Sequence, residues 1–257
     1  MAIPKIIHYC WFGHTKMPDL EIKCIESWKK HFPGYEIKLW NEENFDYKSC
    51  TFAKQAYEKG QYAFVSDYAR AKILYNYGGI YMDADVEVIK DFSEALSQKA
   101  FLGFERRHFV GTAIMATEKN NPVIKALLDY YESHPFILED GSMDRIANVS
   151  LLTDILSKKG LQLGGMRQTV DGIEIYNREV FYPKKIDDDT FRITEETCAI
   201  HRASNSWMSD KEKRRGRNKL WIEVARPTLR GSRKALKKLL GEKKTRKIEN
   251  KLRDRMK

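Results

Sequence analysis

The run Gly78-Gly79-Ile80-Tyr81-Met82-Asp83-Ala84-Asp85-Val86 carries an apolar segment straight into two carboxylates spaced by one residue. Read as a strand, it points residues i and i+2 to the same face, so Asp83 and Asp85 stand side by side. Two such carboxylates repel, and burying either is costly. A divalent cation removes that penalty. Hard oxygen ligands suit Mn²⁺ or Mg²⁺ and leave positions open for phosphate oxygens. The other reading of the pair is a solvated strand end.

Immediately upstream lies Ser66-Asp67-Tyr68-Ala69-Arg70. Asp67 and Arg70 are three apart and share a helical face. One reading is a surface i,i+3 ion pair. The other has Asp67 accepting hydrogen bonds from sugar hydroxyls and Arg70 donating to sugar or phosphate oxygens, near a helix N-terminus that attracts negative charge.

The elements that position these groups follow from periodicity and punctuation. Lys5 to Phe12 reads as a buried strand between Pro4 and Gly13. Leu20, Cys24, Ile25 and Trp28 recur at helical spacing, closed by Pro33-Gly34. Glu36–Trp40 alternates as a strand. Ser66 is the expected N-cap of a helix running through Tyr77, with Ala69, Ile73 and Tyr77 on one face and Gly78-Gly79 as its stop. Ile80–Val88 is the expected next strand. Further strands are expected near 101–104, 112–116 and 198–201, with helices at 122–132 and 143–158. The strand–helix–strand order predicts an α/β domain with a mainly parallel sheet.

The 66–88 stretch, SDYARAKILYNYGGIYMDADVEV, resembles the signature of family 32 glycosyltransferases and is similar to the glucosyltransferase domains of large clostridial toxins. IPKIIHYCWFG at 3–13 is similar to the opening strand of that group, and His201-Arg-Ala-Ser-Asn-Ser-Trp207 to its closing segment. The resemblance spans roughly residues 3–207 and implies a GT-A-like sheet flanked by helices. It also implies a metal-dependent hexosyltransferase that uses a nucleotide-diphosphate sugar, a UDP-sugar being favoured, with Mn²⁺ or Mg²⁺.

On matching residues, the resemblance implies that Trp11 stacks on the base and Tyr81 packs on ribose or base. Asp67 and Arg70 hold the donor sugar, and Asp83 touches ribose or a metal-bound water. Asp85 and His201 join Asp83 at the metal, while Trp207, helped by Ser206, donates to the diphosphate. Core packing is the competing reading for Trp11, Tyr81 and His201. A Gly-Pro step expected between 143 and 156 is replaced by Asn148-Val149. The resembled family retains anomeric configuration, and no covalent nucleophile stands out, so same-face attack is expected. Other metal-dependent phosphoryl or nucleotidyl transfer is the rival chemistry.

Charge divides the chain. Residues 208–257 hold 20 Lys+Arg against 6 Asp+Glu, and the rest hold 26 against 30. The expected organisation is therefore a catalytic domain over 1–207 and a basic amphipathic tail over 208–257. In the tail, Leu229, Leu236, Leu239 and Leu240 lie beside Lys234, Lys237 and Lys238. That pattern fits a helix in an anionic lipid interface. Docking of the tail on the body through Trp221, Ile222 and Val224 is the alternative reading.

A nucleic-acid partner is not expected, because the body is acidic and no RNA- or DNA-binding spacing occurs. The acceptor is expected to be a saccharide, lipid-linked if the tail is an anchor, in surface polysaccharide synthesis. No apolar run is long enough for a bilayer span or a signal peptide, so the expected location is cytoplasmic, at the inner membrane face. Cys10, Cys24, Cys50 and Cys198 make no CxxC pair and read as free thiols.

Overall fold

The computed structural model describes residues 3–183 and 190–204, together with Gly241 and Thr245. Residues 205–240 and 246–257 lie outside the described residues, and so do Ser206, Trp207 and the basic tail apart from those two positions. The chain divides into two compact units. The first comprises Met1–Phe136 and Arg145–Ser204, and the second Ile137–Asp144 with Asn205–Lys257. Among the described residues of the second unit, Ile137 and Met143 form an antiparallel bridge.

The first unit starts with β1 (Ile6–Cys10), α1 (Asp19–His31), β2 (Glu36–Trp40), α2 (Thr51–Glu58), α3 (Tyr62–Tyr77), β3 (Gly79–Met82) and β4 (Val86–Val88). It continues with α4 (Ser93–Leu96), β5 (Ala100–Arg106), β6 (Phe109–Val110), β7 (Ile114–Thr117), α5 (Pro122–Ser133) and α6 (Asn148–Ser157). It closes with β8 (Gln168–Val170), β9 (Ile173–Tyr176), α7 (Arg178–Phe181) and β10 (Ala199–His201).

The main sheet has the order β2-β1-β3-β7-β5-β9-β8, with β6 on β5. The pairs β1–β2, β1–β3 and β5–β9 are parallel, whereas β3–β7, β5–β7 and β8–β9 are antiparallel. Five strands of that path therefore run one way, and only β7 and β8 oppose them. This is the α/β architecture expected, with a sheet parallel in most of its strands. Buried side chains of one sheet face, among them Ile7, Ile80, Phe101 and Ile114, pack with Trp28 of α1 and Phe181 of α7 into one core.

Local chemistry explains most boundaries. In α1, Cys24, Ile25 and Trp28 form the buried face, while Leu20 is exposed, contrary to its expected place on that face. Asn121 caps α5 by accepting from the amides of Val123 and Ile124, with Pro122 opening the first turn. The four cysteines are free thiols.

Three expectations need correction. First, α3 begins at Tyr62, four residues before Ser66, whose hydroxyl donates instead to the Tyr62 carbonyl inside the helix. The helix N-terminus is therefore not at Asp67. Second, α6 begins at Asn148 rather than Met143, because Ala147 is extended at φ −68 and ψ 135. Third, the single strand expected over 80–88 is broken. β3 ends at Met82, the Val86 amide donates to the Asp83 carbonyl at 3.0 Å, and β4 pairs not with the main sheet but with β10.

The glycine pair before β3 is sterically required. Gly78 ends α3 at φ 64, and Gly79 follows at φ 96. A Cβ on Gly78 would meet the Thr117 carbonyl oxygen at 2.8 Å, and one on Gly79 would meet the Ile6 carbonyl oxygen at 2.7 Å. Side chains are therefore excluded by conformation and by space alike.

Candidate active site

Asp83 and Asp85 converge through a turn, not through strand alternation. His201 joins them because β10 pairs antiparallel with β4, setting His201 opposite Val86. One ligand atom from each of Asp83, Asp85 and His201 lies within 4.8 Å of the others. Two carboxylates and an imidazole are a donor set that suits Mn²⁺ well and Mg²⁺ acceptably. The residues present therefore fit a divalent cation.

Asp85 is the more enclosed of the two carboxylates. Its Oδ1 lies 3.4 Å from His201 Nε2, and its Oδ2 accepts from the Ser204 amide at 2.8 Å. Burial opposes its charge, but the His201 contact and the Ser204 amide hold its pKa down to about 2. Burial likewise opposes a charged His201 ring. Asp85 outweighs it and raises the imidazole above its usual value. Ala203, at φ 50, sits in the left-handed region between Arg202 and Ser204. The Arg202 amide donates to the Asp85 carbonyl on one side of it, and the Ser204 amide to the Asp85 carboxylate on the other. A non-glycine residue held there is the kind of local strain that accumulates at functional sites.

Arg70 is 5% exposed and fully engaged. Its NH2 nitrogen lies 3.0 Å from Asp67 Oδ1 and 3.2 Å from Asp83 Oδ1. Its NH1 nitrogen donates to the Thr112 carbonyl at 2.7 Å, and its Nε to the Ser66 carbonyl at 3.4 Å. The guanidinium carbon lies 4.6 Å from the centre of the Tyr81 ring. The surface ion-pair reading is therefore wrong: the pair is buried, and Arg70 clamps two carboxylates together.

Tyr81 is 1% exposed, and its hydroxyl donates to Asp83 Oδ1 at 3.1 Å. It has no free face for ribose or base. Its place is beneath the site, where it orients Asp83. Trp11 is half-buried just beyond β1, with its amide on the Trp40 carbonyl and its indole N–H on the Thr15 carbonyl at 2.8 Å. A Cβ on the neighbouring Gly13 would fall 2.5 Å from the Tyr62 ring, so the Trp11 loop packs on the first turn of α3.

Several residues joined the site without being foreseen. Asn148 donates to Asp67 Oδ1 at 2.6 Å and accepts from the Thr112 hydroxyl at 2.8 Å, extending the Arg70 clamp. Mainly through burial, and against the pull of Arg70, the Asp67 carboxyl rises to about 7. Glu21 is 1% exposed, and its Oε1 accepts from the Ser204 hydroxyl at 2.8 Å, while its Oε2 has no hydrogen-bond partner among the described residues. A signal for it was present: Glu21 is three and four residues before Cys24 and Ile25, on the apolar face of α1. Tyr182 stands edge-on to His201 with ring centroids 6.0 Å apart, and its hydroxyl accepts from the Ile114 amide. Gly111 makes room for it, since a Cβ there would lie 2.4 Å from the Tyr182 ring. Ser206 and Trp207, expected at the diphosphate, lie outside the described residues.

Residues 18–102 match the family model described as the glycosyltransferase sugar-binding region containing DXD motif. That match covers about a third of the chain. Within it lie Asp67, Arg70, Tyr81, Asp83 and Asp85. The chain is 28% identical over 164 residues to Subversion of eukaryotic traffic protein A of Legionella pneumophila, covering 51% of this chain and 25% of that protein. It is 31% identical over 111 residues to inositol phosphoceramide mannosyltransferase 1 of Schizosaccharomyces pombe, covering 39% and 33% respectively. The chain thus spans a quarter to a third of the length of these relatives. The solved PaToxG glycosyltransferase is similar at 21% identity and a TM-score of 0.46, over 62% of this chain and 70% of that one.

Proposed function

We propose that the protein transfers a glycosyl group from a nucleotide-diphosphate sugar, a UDP-sugar being favoured, to a hydroxyl acceptor, with retention of anomeric configuration. The carrying observation is the Asp83, Asp85 and His201 cluster, whose Asp83 is held by Arg70 and whose two carboxylates lie within the stretch that matches the glycosyltransferase sugar-binding region.

Asp83, Asp85 and His201 would hold Mn²⁺ or Mg²⁺. Such an ion supplies positive charge to a departing diphosphate, the electrostatic contribution expected to matter most at this kind of site. Arg70 acts by fixing Asp67 and Asp83, both of which its NH2 nitrogen holds. Asp67, with one oxygen held by Arg70 and Asn148, keeps the other for a sugar hydroxyl. Trp11, half-buried beyond β1, is the candidate surface for the base. No covalent nucleophile stands out in the sequence, which favours same-face attack, with the leaving phosphate accepting the acceptor's proton.

We assign the acceptor to the lipid-linked class. Support comes from the fission-yeast relative, named for mannosyl transfer to inositol phosphoceramide, and from the basic surplus of residues 208–257. In this reading residues 1–207 catalyse and the basic segment anchors the chain to an anionic membrane face, where it contributes to surface polysaccharide synthesis. No described helix is long and apolar enough to cross a membrane.

The deciding experiment is a hydrolysis screen of nucleotide sugars with Mn²⁺ or Mg²⁺ and no acceptor. Release of free nucleoside diphosphate from one preferred donor is expected. Release of nucleoside monophosphate and sugar 1-phosphate would establish phosphoryl or nucleotidyl transfer instead, and no turnover of any donor would reject sugar transfer.

A further inference from the structure

The rim beside the metal cluster is amphipathic. β5 ends in Glu105 and Arg106, and the chain turns through Arg107 and His108 into β6. Gly111, directly after β6, packs on the Tyr182 ring, which stands edge-on to His201, so this hairpin lies at the edge of the site. Two residues after β6, Thr112 accepts from Arg70. A second loop, residues 162–167, is joined to the hairpin: the Gly164 amide donates to the Arg107 carbonyl at 2.8 Å, and a Cβ on Gly165 would lie 3.7 Å from the Arg107 Cα.

Three large apolar side chains stand exposed on these two segments. Phe109 is 37% exposed, Leu163 52% and Met166 75%. Single exposed apolar residues are ordinary, but three on two bonded loops form a patch that needs a partner. Arg106 and Arg107 are exposed on the same hairpin, and among the described residues neither guanidinium has an ion-pair or hydrogen-bond partner.

We propose that the rim formed by residues 105–110 and 162–167 docks on an anionic lipid surface. Phe109, Leu163 and Met166 would enter the interface, and Arg106 and Arg107 would meet headgroup phosphates. The pairing of apolar tips with free guanidinium groups selects lipid over a neutral partner. The inference rests on the lipid-acceptor reading above and deepens it: the docking surface belongs to the catalytic body and opens beside the metal cluster, so a lipid-borne hydroxyl is delivered to the site.

The test uses the full chain with Cys198→Ser and Met166→Cys, labelled at position 166 with an environment-sensitive fluorophore. A control chain carries the label at Lys59→Cys. Vesicles are phosphatidylcholine alone or phosphatidylcholine with phosphatidylglycerol. The expected result is a blue shift at position 166 with the anionic vesicles only, and none at position 59. Arg106→Gln with Arg107→Gln should weaken partitioning roughly thirtyfold, about 1 kcal/mol for each lost charge. A silent label at position 166 on a chain that still sediments with vesicles would overturn the proposal and place the contact elsewhere. A shift without vesicles that grows with protein concentration would overturn it in favour of self-association, and an equal shift with neutral vesicles would overturn the role of the arginines. Donor hydrolysis in the absence of vesicles is read in parallel. Its absence from the unsubstituted chain would reject sugar transfer without altering the vesicle result.

Discussion

Arg70 and Asp83 are joined at 3.2 Å across the glycine pair that separates α3 from β3. The same guanidinium nitrogen reaches Asp67 at 3.0 Å. One buried cation thus fixes both a candidate sugar-binding carboxylate and a candidate metal ligand.

Removing that cation leaves two carboxylates facing each other with little water. Arg70→Ala should cost about 3–5 kcal/mol of stability, the usual range for breaking a buried pair, and at least a hundredfold in donor turnover. Urea unfolding and initial rates measure the two effects. Wild-type stability in the variant would show that the clamp carries no energy.

Asp85→Asn should remove metal-dependent stabilisation. The unsubstituted chain should melt at higher temperature when Mn²⁺ is added, and exhaustive chelation should reverse this. In the variant the Mn²⁺ shift should vanish, and the metal-free melting temperature should itself fall, because the Asp85 charge held by His201 and the Ser204 amide is lost. Full donor turnover after chelation would refute the metal site.

Glu21 acts on Asp85 through Ser204, whose hydroxyl and amide hold the two carboxylates from opposite sides. Glu21→Leu is predicted to weaken Mn²⁺ binding by roughly tenfold, as loss of a group that orients a ligand does. Calorimetric titration with Mn²⁺ provides the measurement. Unchanged affinity would reduce Glu21 to a core residue.

Asn148 ties Asp67 to Thr112. Asn148→Ala should raise KM for the donor more than it lowers kcat, because Asp67 loses its orientation while the metal ligands stay in place. A pure kcat effect would place Asn148 in the chemical step instead.

His8 lies between the Trp40 indole N–H, which donates to Nδ1, and the Gly78 carbonyl, which faces Nε2 at 3.0 Å. Both contacts suit a neutral ring. Burial, helped by Lys38 and only partly offset by the Gly78 contact, lowers its pKa to about 4. As pH falls below 6.5 the unfolded chain takes up a proton that the folded chain refuses until about 4. His8 by itself therefore lowers stability through that window by on the order of 3 kcal/mol. His201, raised by Asp85, and Asp67, raised by burial, work in the opposite sense. His8→Asn should remove the destabilising share, so that stability at pH 4.5 relative to pH 7 in urea titrations is higher in the variant than in the unsubstituted chain, and an unchanged pH dependence would exclude His8 as a contributor.

The sequence alone determined the local features. Gly78-Gly79 had to end a helix, since their positive φ angles and missing side chains are written in residue type. Most of the apolar face of α1 and the start of α5 at Pro122 were legible for the same reason: helix periodicity and punctuation act over a few residues. The proximity of Asp83 to Asp85 was legible too, although its cause was misread as strand alternation when a turn produces it. Tertiary structure alone decided the rest. His201 reaches the pair through the β4–β10 ladder, and Ser204 binds Asp85 from 119 residues away. Asn148 binds Asp67 from 81 residues away. No periodicity encodes such partners, because they meet only when packing brings separate elements together. Arg70 changed meaning for the same reason. Its spacing from Asp67 describes a surface pair, and burial beneath Thr112 and Tyr81 makes it the clamp of the site.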